Sequence, residues 1–411
     1  MDPRTPAPAP TTAPPGFAPD QAGFYLGDPH TAFRRLRAED PVHWYEDGGF
    51  WCVLRHADVQ AVSRSPRTFV SSRGTQMFQI ASSGVRTNLP VDTLAPSIIQ
   101  TDPPHHNRLR KLVMGAFTPR RIAEMEPRLR EIAGECLDAI EPGGTVDFVE
   151  TAAVPFPMLV IAEMLGISGD DRAEFRRWSD AMVVAGGGGF GDETGQAIRE
   201  LFGYLTAVIA ERRKAPRDDL ISVLMDAEIE GERLRDAEVL MFLLTLLVAG
   251  NETTRNLVSC GALALLREPD QHRLLRTRPE WLPNAVEEML RYVSPVRNFA
   301  RCAAADTELA GRPIQAGQYV VMLYGSANRD ESVFGDDSER FDVTRASARR
   351  HVAFGFGEHL CLGASLARLE GLVLWDELFA RFGHLELAGE PEPLSSSLMN
   401  GLVHLPVVFQ K

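Results

Sequence analysis

Apolar residues recur at three- and four-residue spacing along most of the chain between residues 56 and 295, which is the period of amphipathic helices. The spacing predicts helices over Arg121–Ile140, Ala197–Arg213 and Asn284–Tyr292. A further apolar pattern predicts a final helix from about Cys361 to about Phe382. Helix is therefore expected to dominate the fold.

Two stretches have the aromatic and β-branched composition of strands. Val42–Arg55 contains two such runs around Asp47-Gly48-Gly49, which predicts a hairpin. Val296–Tyr324 contains shorter runs separated by turn residues, which predicts a small sheet. The Pro- and Ala-rich residues 1–20 are expected to form a disordered tail. Since no linker divides the rest, residues 21–411 are expected to form one domain that is mainly α with a minor β region.

The composition, 44% hydrophobic and 24% charged, is that of an ordinary globular protein. A formal net charge of −13 argues against nucleic acid or an anionic membrane as the main partner. The first 19 residues lack the apolar segment of a secretory signal. The longest apolar run, Val239–Gly250, is shorter than the roughly 20 residues that a membrane span requires. We therefore expect a cytoplasmic protein without a membrane span.

The five cysteines are scattered and form no CxxC pair, which argues against a disulfide framework and a structural zinc site. Cys361 differs from the others because it lies in the glycine-punctuated stretch Phe354–Gly363, just before the final predicted helix. At a helix N-terminus, free N–H groups and the helix dipole would stabilise a Cys361 thiolate. The small residues Gly363 and Ala364 would let a large planar group approach the backbone.

The apolar run Val239–Gly250 leads into Asn251-Glu252-Thr253-Thr254. A glycine beside hydroxyl residues is a weak point in a helix, because Thr can bond the preceding carbonyls and open the backbone ladder. An acid next to an alcohol can also relay protons. The residues alone leave a second interpretation open, in which a buried helix ends in a polar cap.

Phe354, Gly357, Cys361 and Gly363 form the pattern FxxGxxxCxG, which resembles the haem-binding loop of the cytochrome P450 family. The resemblance runs from about residue 24 to the C-terminus and implies the family's single triangular, mostly helical fold. It also implies haem b as cofactor, with Cys361 as the axial ligand of the iron. A thiolate ligand pushes electron density onto the iron and favours O–O cleavage.

Ala249-Gly250-Asn251-Glu252-Thr253 is similar to the oxygen-binding groove of the same family. The resemblance makes Ala249 and Gly250 part of the cofactor site, and Glu252 and Thr253 the catalytic acid and alcohol. Thr254 is a weaker candidate, because the family places the alcohol directly after the acid. The pair implies an enzyme that activates O2 and inserts one oxygen atom into a substrate.

Glu288 and Arg291 match the family's ExxR pair, and Arg340 matches the arginine that joins them in a buried structural cluster. Haem carries two propionates, and an acidic protein needs local cations to hold them. The resemblance assigns five residues to this role, with His359 the most loosely matched: His106, Arg110, Arg301, His351 and His359. Phe354 and Gly363 complete the predicted cofactor site.

Two stretches of the chain carry additional positive charge. They are Arg108, Lys111, Arg120 and Arg121, and then Arg345, Arg349 and Arg350. If both lie on the cysteine side of the haem, they form a basic patch for an acidic electron donor such as a ferredoxin. Scattered, solvated charge is the alternative. The sequence shows no flavin or nicotinamide fingerprint, so neither flavin nor NAD(P) is expected on this chain. Electrons would come from a ferredoxin-type donor with its reductase.

The resemblance also assigns apolar residues to a substrate pocket, which implies a hydrophobic substrate. They are Leu246, Ala249, Val296, Phe299, Leu398 and Met399. The Ala249–Thr254 and Ser294–Ala300 stretches are similar to bacterial family members that hydroxylate or epoxidise sterols, steroids and branched lipids. A terpenoid or macrolide substrate is the alternative. Two other classes stay open, a haem-thiolate peroxygenase, which Glu252 and Thr253 argue against, and a non-enzymatic haem sensor.

Overall fold

The structure is a computed structural model that describes residues 13–81, 95–167, 169–186 and 191–410. Helices make up most of these ranges, as the periodicity predicted. The α-helices are α1 Pro29–Glu39, α2 His56–Ser63, α3 Met77–Ala81, α4 His105–Met114, α5 Pro119–Glu124, α6 Glu126–Leu137, α7 Pro155–Met164, α8 Arg172–Gly186, α9 Asp192–Lys214, α10 Leu220–Asp226, α11 Asp236–Arg267, α12 Pro269–Thr277, α13 Leu282–Val293, α14 Tyr324–Ala327, α15 Glu331–Phe334 and α16 Ala364–Arg381.

The strands are short and belong to small sheets. They are β1 Val42–Tyr45, β2 Phe50–Val53, β3 Phe69–Val70, β4 Thr145–Asp147, β5 Glu228–Ile229, β6 Glu232–Arg233, β7 Asn298–Ala303, β8 Thr307–Leu309, β9 Arg312–Ile314, β10 Tyr319–Leu323, β11 His384–Leu387, β12 Glu392–Pro393, β13 Leu402–His404 and β14 Pro406–Gln410. The prediction of a mainly helical protein with a minor β region is confirmed.

Helix α11 is the central element of the core. Its 32 residues span about 48 Å at the usual rise per residue. It packs against α7, α8, α13 and α16, and buried residues occur along its whole length. By length and composition α11 is apolar enough to cross a membrane. A helix that is largely buried in a protein core has the same composition, and more than half of the apolar part of α11 is buried here.

The largest sheet joins two parts of the chain that are far apart in sequence. Its strand order is β1-β2-β10-β7-β3. The predicted hairpin is present, with Val42 opposite Val53 and Tyr45 opposite Phe50. Its second strand pairs in parallel with β10, so that Phe50 lies opposite Tyr319. The N-terminal hairpin thus extends the sheet that was predicted for Val296–Tyr324.

The N-terminal segment is more ordered than the sequence indicated. Phe17 is buried, and its ring makes edge-to-face contacts with the rings of Phe33 and Tyr45. The Tyr25 hydroxyl donates a hydrogen bond to the Pro19 carbonyl at 3.0 Å. The prediction of disorder is therefore wrong for residues 13–20, because one aromatic side chain gives this Pro-rich segment enough apolar surface to bury. Residues 1–12 lie outside the described residues.

The helix predicted over Arg121–Ile140 is two helices. Helix α5 ends at Glu124, and α6 begins at Glu126 with Pro127 in its first turn. Proline has no N–H group and its ring would clash with the carbonyl four residues earlier, so a continuous helix cannot pass this point. A proline in the first turn of a new helix avoids both problems.

Glu288 and Arg291 form an ion pair with no exposed surface on α13, as expected for the family's structural cluster. Both nitrogens that face Glu288 lie 2.7 Å from its carboxylate oxygens. The third arginine is Arg345, whose Nε lies 3.2 Å from Glu288 Oε1. The assignment of Arg340 is wrong, because its side chain is exposed and only its carbonyl accepts, from Arg291 at 3.0 Å. The turn before Arg345 brings its side chain, and not that of Arg340, back to α13.

We expect Arg345→Ala to lower the free energy of unfolding by about 3–5 kcal/mol, because it removes one partner of a buried charge cluster. Arg340→Ala keeps the carbonyl that Arg291 uses, so its effect should stay within about 0.5 kcal/mol. Chemical denaturation followed by far-UV circular dichroism measures both values. Equal losses in the two variants would contradict the assignment of Arg345.

Candidate active site

The loop that carries Cys361 has a fixed backbone course. The Cys361 N–H donates to the Phe354 carbonyl at 2.8 Å, which closes the loop before α16 begins at Ala364. Gly357 has φ +71°, a left-handed conformation, and a Cβ on it would lie 2.3 Å from the Ser63 carbonyl oxygen. Glycine is therefore required at Gly357, both for its conformation and for the close approach to α2.

Cys361 presents an accessible sulfur in a recess of the protein. Its residue surface is exposed, yet protein atoms surround it closely enough that burial raises the pKa of the thiol. The Gly363 backbone N–H, Arg110 and Arg368 act in the opposite direction. Because α16 begins three residues after Cys361, the helix terminus gives less stabilisation than the sequence predicted. A metal cation at the sulfur would supply the missing positive charge, because coordination deprotonates a thiol.

Four predicted propionate ligands lie together, although they come from three parts of the chain. His106 and Arg110 are on α4, Arg301 is on β7 and His359 is in the Cys361 loop. The His106 and His359 rings lie with centroids 4.1 Å apart. Burial, together with the nearby Arg301, His106 and Arg110, lowers the pKa of His359 to about 3. Burial also lowers the pKa of Arg110 and of Arg301.

The charge of this group suits an anionic ligand. Asp102 is close to Arg301, but its carboxylate accepts the backbone N–H groups of Ser71 at 2.7 Å and Ser72 at 3.1 Å. The buried guanidinium group of Arg301, the half-buried one of Arg110 and two imidazoles therefore lie together, and the one nearby carboxylate, Asp102, already accepts two backbone N–H groups. Such a group gains most from carboxylates that accept charge-assisted hydrogen bonds, and haem brings two of them. The residues present fit haem.

His351 lies in a different cluster. Its Nε2 lies 3.1 Å from Glu287 Oε2, and its Nδ1 accepts the Ala353 N–H at 3.1 Å. Arg368 donates to the same Glu287 carboxylate at 2.8 Å, and its guanidinium stacks over the Phe354 ring at 4.7 Å. Both ring nitrogens of His351 are thus in use within the protein, and its contact with a propionate stays a prediction. Phe354, as predicted, is part of the Cys361 loop.

Glu252 and Thr253 lie on α11, which is continuous past Gly250. The expected opening of the helix is absent from this stretch, and the Thr253 hydroxyl donates to the Ala249 carbonyl at 2.6 Å. Glu252 is buried, and burial raises the pKa of its carboxyl against the lowering effect of Arg255. A carboxyl that is shifted in this direction holds its proton more readily, as a proton donor needs.

Thr254 is engaged elsewhere. Its hydroxyl donates to Glu370 Oε2 at 2.9 Å, on the helix α16 that follows Cys361. Burial raises the pKa of Glu370 to about 8, and the Thr254 hydrogen bond lowers it only in part. Glu370 was not predicted from the sequence, although a single acid among Leu369, Gly371 and Leu372 is a detectable signal. The contact leaves Thr253, whose hydroxyl oxygen can still accept a proton, as the alcohol next to Glu252 in the chain.

Comparison with known proteins agrees with this geometry. The family model described as Cytochrome P450 matches residues 275–410. Linalool 8-monooxygenase of Pseudomonas putida is 39% identical over 390 residues, covering 93% of this chain and 95% of that protein. The chain belongs to the cytochrome P450 family. Members of the family bind haem b through a cysteine thiolate, and this protein is a cytochrome P450 monooxygenase.

Two further relatives of this cytochrome P450 act on or bind steroid-related molecules. Vitamin D(3) 25-hydroxylase of Pseudonocardia autotrophica is 40% identical over 395 residues, covering 94% of this chain and 95% of that protein. The crystal structure of CYP109E1 from Bacillus megaterium in complex with testosterone has a TM-score of 0.83 and 35% identity. It covers 93% of this chain and 99% of that one.

The apolar residues predicted for the substrate pocket of this cytochrome P450 are half-buried or exposed, as a cleft lining requires. Val296 forms an isolated β-bridge with Met399, and the Arg297 N–H donates to the Leu398 carbonyl at 2.7 Å. The strand before β7 and the C-terminal turn therefore lie together. Leu246 and Ala249 come from α11. The family resemblance also assigns to this pocket two loops, about Arg73–Ile99 and Trp178–Gly189, of which residues 82–94 and 187–190 lie outside the described residues.

Two of the cations predicted for the basic patch are engaged in other contacts. Arg345 is buried in the Glu288 cluster, and Arg108 pairs with Glu232 and Glu238. The other cations of the patch have exposed or half-buried side chains. They are Lys111, Arg120, Arg121, Arg349 and Arg350. Leu360, the neighbour of Cys361, is an exposed apolar residue, with 44% of its surface accessible.

Proposed function

We propose that this cytochrome P450 hydroxylates or epoxidises a sterol, a steroid or a branched lipid, with Cys361 as the axial ligand of the haem iron. The observation that carries the proposal is the single site formed by the accessible Cys361 sulfur and the cation group His106, Arg110, Arg301 and His359. The two guanidinium groups and the N–H groups of the two neutral imidazoles would hold the propionates. When bound, haem supplies the reductive activation of O2.

Glu252 and Thr253 are proposed to deliver protons. When one atom of O2 enters the substrate, the other leaves as water, which takes up two protons and two electrons. The buried Glu252 carboxyl stores a proton, and the adjacent Thr253 hydroxyl passes it on. The presence of this acid–alcohol pair supports an O2-dependent monooxygenase over a peroxygenase or a haem sensor.

The electrons are proposed to come from a ferredoxin-type protein with its reductase. The exposed Lys111, Arg349 and Arg350, with the apolar Leu360, suit a small acidic partner. We propose a cytoplasmic location, where such partners occur. For the substrate, the apolar residues Leu246, Val296 and Phe299 favour a hydrophobic molecule. The vitamin D and testosterone relatives support the steroid class, and the linalool relative supports the terpenoid alternative.

We expect Cys361→Ala to abolish the strongly red-shifted Soret band of the ferrous carbon monoxide complex, because that band depends on thiolate ligation. Cys260→Ala, which changes a half-buried cysteine of α11, should keep the band and is the matched control. Absorption spectra of the two haem-loaded variants measure the difference. A Cys361→Ala protein that retained the band would exclude this cysteine as the ligand.

We expect Thr253→Ala to separate electron consumption from product formation, with peroxide released in place of product. Loss of a positioned proton donor typically costs about 10²–10⁴-fold in rate, so product per electron should fall by at least an order of magnitude. Thr253→Ser keeps the hydroxyl and should stay coupled. Unchanged coupling in Thr253→Ala, measured with a surrogate reductase and ferredoxin, would refute the proposed role.

The substrate class is tested by titrating the haem-loaded protein with sterols and steroids, fatty acids, terpenes and macrolides. Displacement of water from the iron shifts the Soret band, so the shift reports binding directly. We expect members of the sterol, steroid and branched-lipid class to saturate the shift at the lowest concentrations. A response to macrolides or terpenes alone would reject the lipid class and leave the haem-thiolate chemistry intact.

A further inference from the structure

Two hydroxyl groups meet where the segment before α4 crosses the central helix. Ser97 Oγ lies 3.0 Å from Thr245 Oγ1, and Thr245 Oγ1 lies 2.7 Å from the Met241 carbonyl oxygen. Both hydroxyl-bearing residues are half-buried. We call Ser97 and Thr245 the hydroxyl pair.

The protons of the hydroxyl pair are already assigned. Each hydroxyl has one proton to donate and two lone pairs that accept. The Met241 carbonyl has no proton, so the Thr245 hydroxyl must donate to it. The Ser97 hydroxyl must then donate to Thr245. Both hydroxyl protons are therefore used in hydrogen bonds within the protein. Two lone pairs on Ser97 and one on Thr245 remain, so the pair can only accept further hydrogen bonds.

The pair lies on the side of α11 that also carries Ala249 and Thr253. Thr245 precedes Ala249 by four residues and Thr253 by eight, so all three share one face of the helix. Eight residues correspond to about 12 Å along the axis. The neighbouring side chains Ile98, Met241 and Leu246 are apolar. The pair thus places two polar groups among residues that are apolar in the sequence, two helical turns from Thr253.

We infer that the hydroxyl pair binds an alcohol group of the substrate at the end of the pocket remote from Thr253. A substrate hydroxyl donates its proton to Ser97 Oγ, which is free to accept. A ketone has no proton to give, and to accept one it would have to take the Ser97 proton from Thr245. The inference rests on the proposed function and narrows it to apolar alcohols, with the oxidised carbon about two helical turns, on the order of 12 Å, from the hydroxyl. A fused-ring steroid alcohol has such dimensions.

A purely structural role predicts something different. The pair joins the segment that leads into α4 to the central helix, and this contact alone would hold that segment in place. If that were its whole role, loss of either hydroxyl would weaken the binding of every ligand to the same degree. Discrimination between an alcohol and a ketone separates the two roles.

The test uses androstanol, androstanone and androstane, which share one saturated ring system and differ at one carbon of the first ring. Dissociation constants are measured on the haem-loaded protein by the Soret shift and by isothermal titration calorimetry. We expect androstanol to bind about tenfold more tightly than the other two, as one additional hydrogen bond in an apolar site allows. Equal affinity for all three ligands would overturn the inference.

Two variants sharpen the test. Ser97→Ala removes the acceptor, so the preference for the alcohol should disappear while the affinity for androstane stays unchanged. Thr245→Val keeps the shape of the side chain and frees the Ser97 proton, so androstanone should gain affinity relative to androstane. A uniform loss of affinity for all three ligands in both variants would show that the pair only holds the segment, and would overturn the inference. The carbon monoxide spectrum of each variant confirms an intact site.

The steroid class and the hydroxyl site can fail separately. If none of the three androstanes binds, the steroid assignment is wrong. The same comparison is then made with menthol, menthone and menthane, which again differ only as alcohol, ketone and hydrocarbon. Preference for menthol that is lost in Ser97→Ala would support the hydroxyl site on a terpenoid enzyme, and no preference would reject the site.

Discussion

The buried Glu288–Arg291 pair constrains the whole cysteine side of the molecule. Two charges without exposed surface are costly unless every donor and acceptor is satisfied. Arg291 meets this requirement with the carbonyls of Asn328 and Ser338, at 2.9 and 2.7 Å, in addition to Glu288. The irregular chain after β10 must therefore pass over α13 along one course.

This constraint reaches the haem loop through Asn328. Its carbonyl accepts from Arg291, while its side-chain oxygen accepts the Val352 N–H at 2.7 Å and its amide donates to Ser294 at 2.8 Å. Val352 begins the stretch that leads to Cys361. The position of the sulfur thus depends on a charge cluster that does not touch it, and Gly357 fixes the remaining freedom by its close approach to Ser63. The position of the proposed iron ligand Cys361 therefore depends on the charge cluster packed against α13.

Local pattern was sufficient for the elements and the chemistry of the ligand loop. The periodicity predicted α9, α13 and α16, and Asp47-Gly48-Gly49 predicted the turn between β1 and β2. The local pattern did not predict the parallel pairing of β2 with β10, because the choice of partner strand depends on contacts between residues more than 260 positions apart in the chain. The short strands β4, β11 and β14 form a sheet for the same long-range reason, and their few residues carry too little alternation to be detected.

For a related reason, the sequence could not predict which tertiary contacts individual site residues make. Arg340 and Arg345 are five residues apart, and only the course of the turn decides which side chain reaches Glu288. His351 and His359 both precede Cys361, and Glu287, an acid on another element, takes His351 out of the cation group. Resemblance supplied the residue types that the chemistry needs. The tertiary contacts decide which arginine or histidine of the chain takes each predicted role.

Because Glu370 is buried in contact with Thr254, the stability of the core depends on whether this one carboxyl is protonated. Because the pKa of this carboxyl is raised from 4.5 to about 8, the folded state is favoured fully below pH 4.5, and that contribution is lost as the pH rises from there through 8. Because Glu370 on α16 is buried and contacts Thr254 on α11, its ionisation requires a local opening of the packing between these helices. The rate at which the Glu370 carboxyl ionises after a jump in pH would therefore measure how often the core opens locally. Glu370, which has no part in the reaction, would thus report the rate of the local opening that lets solvent into the core.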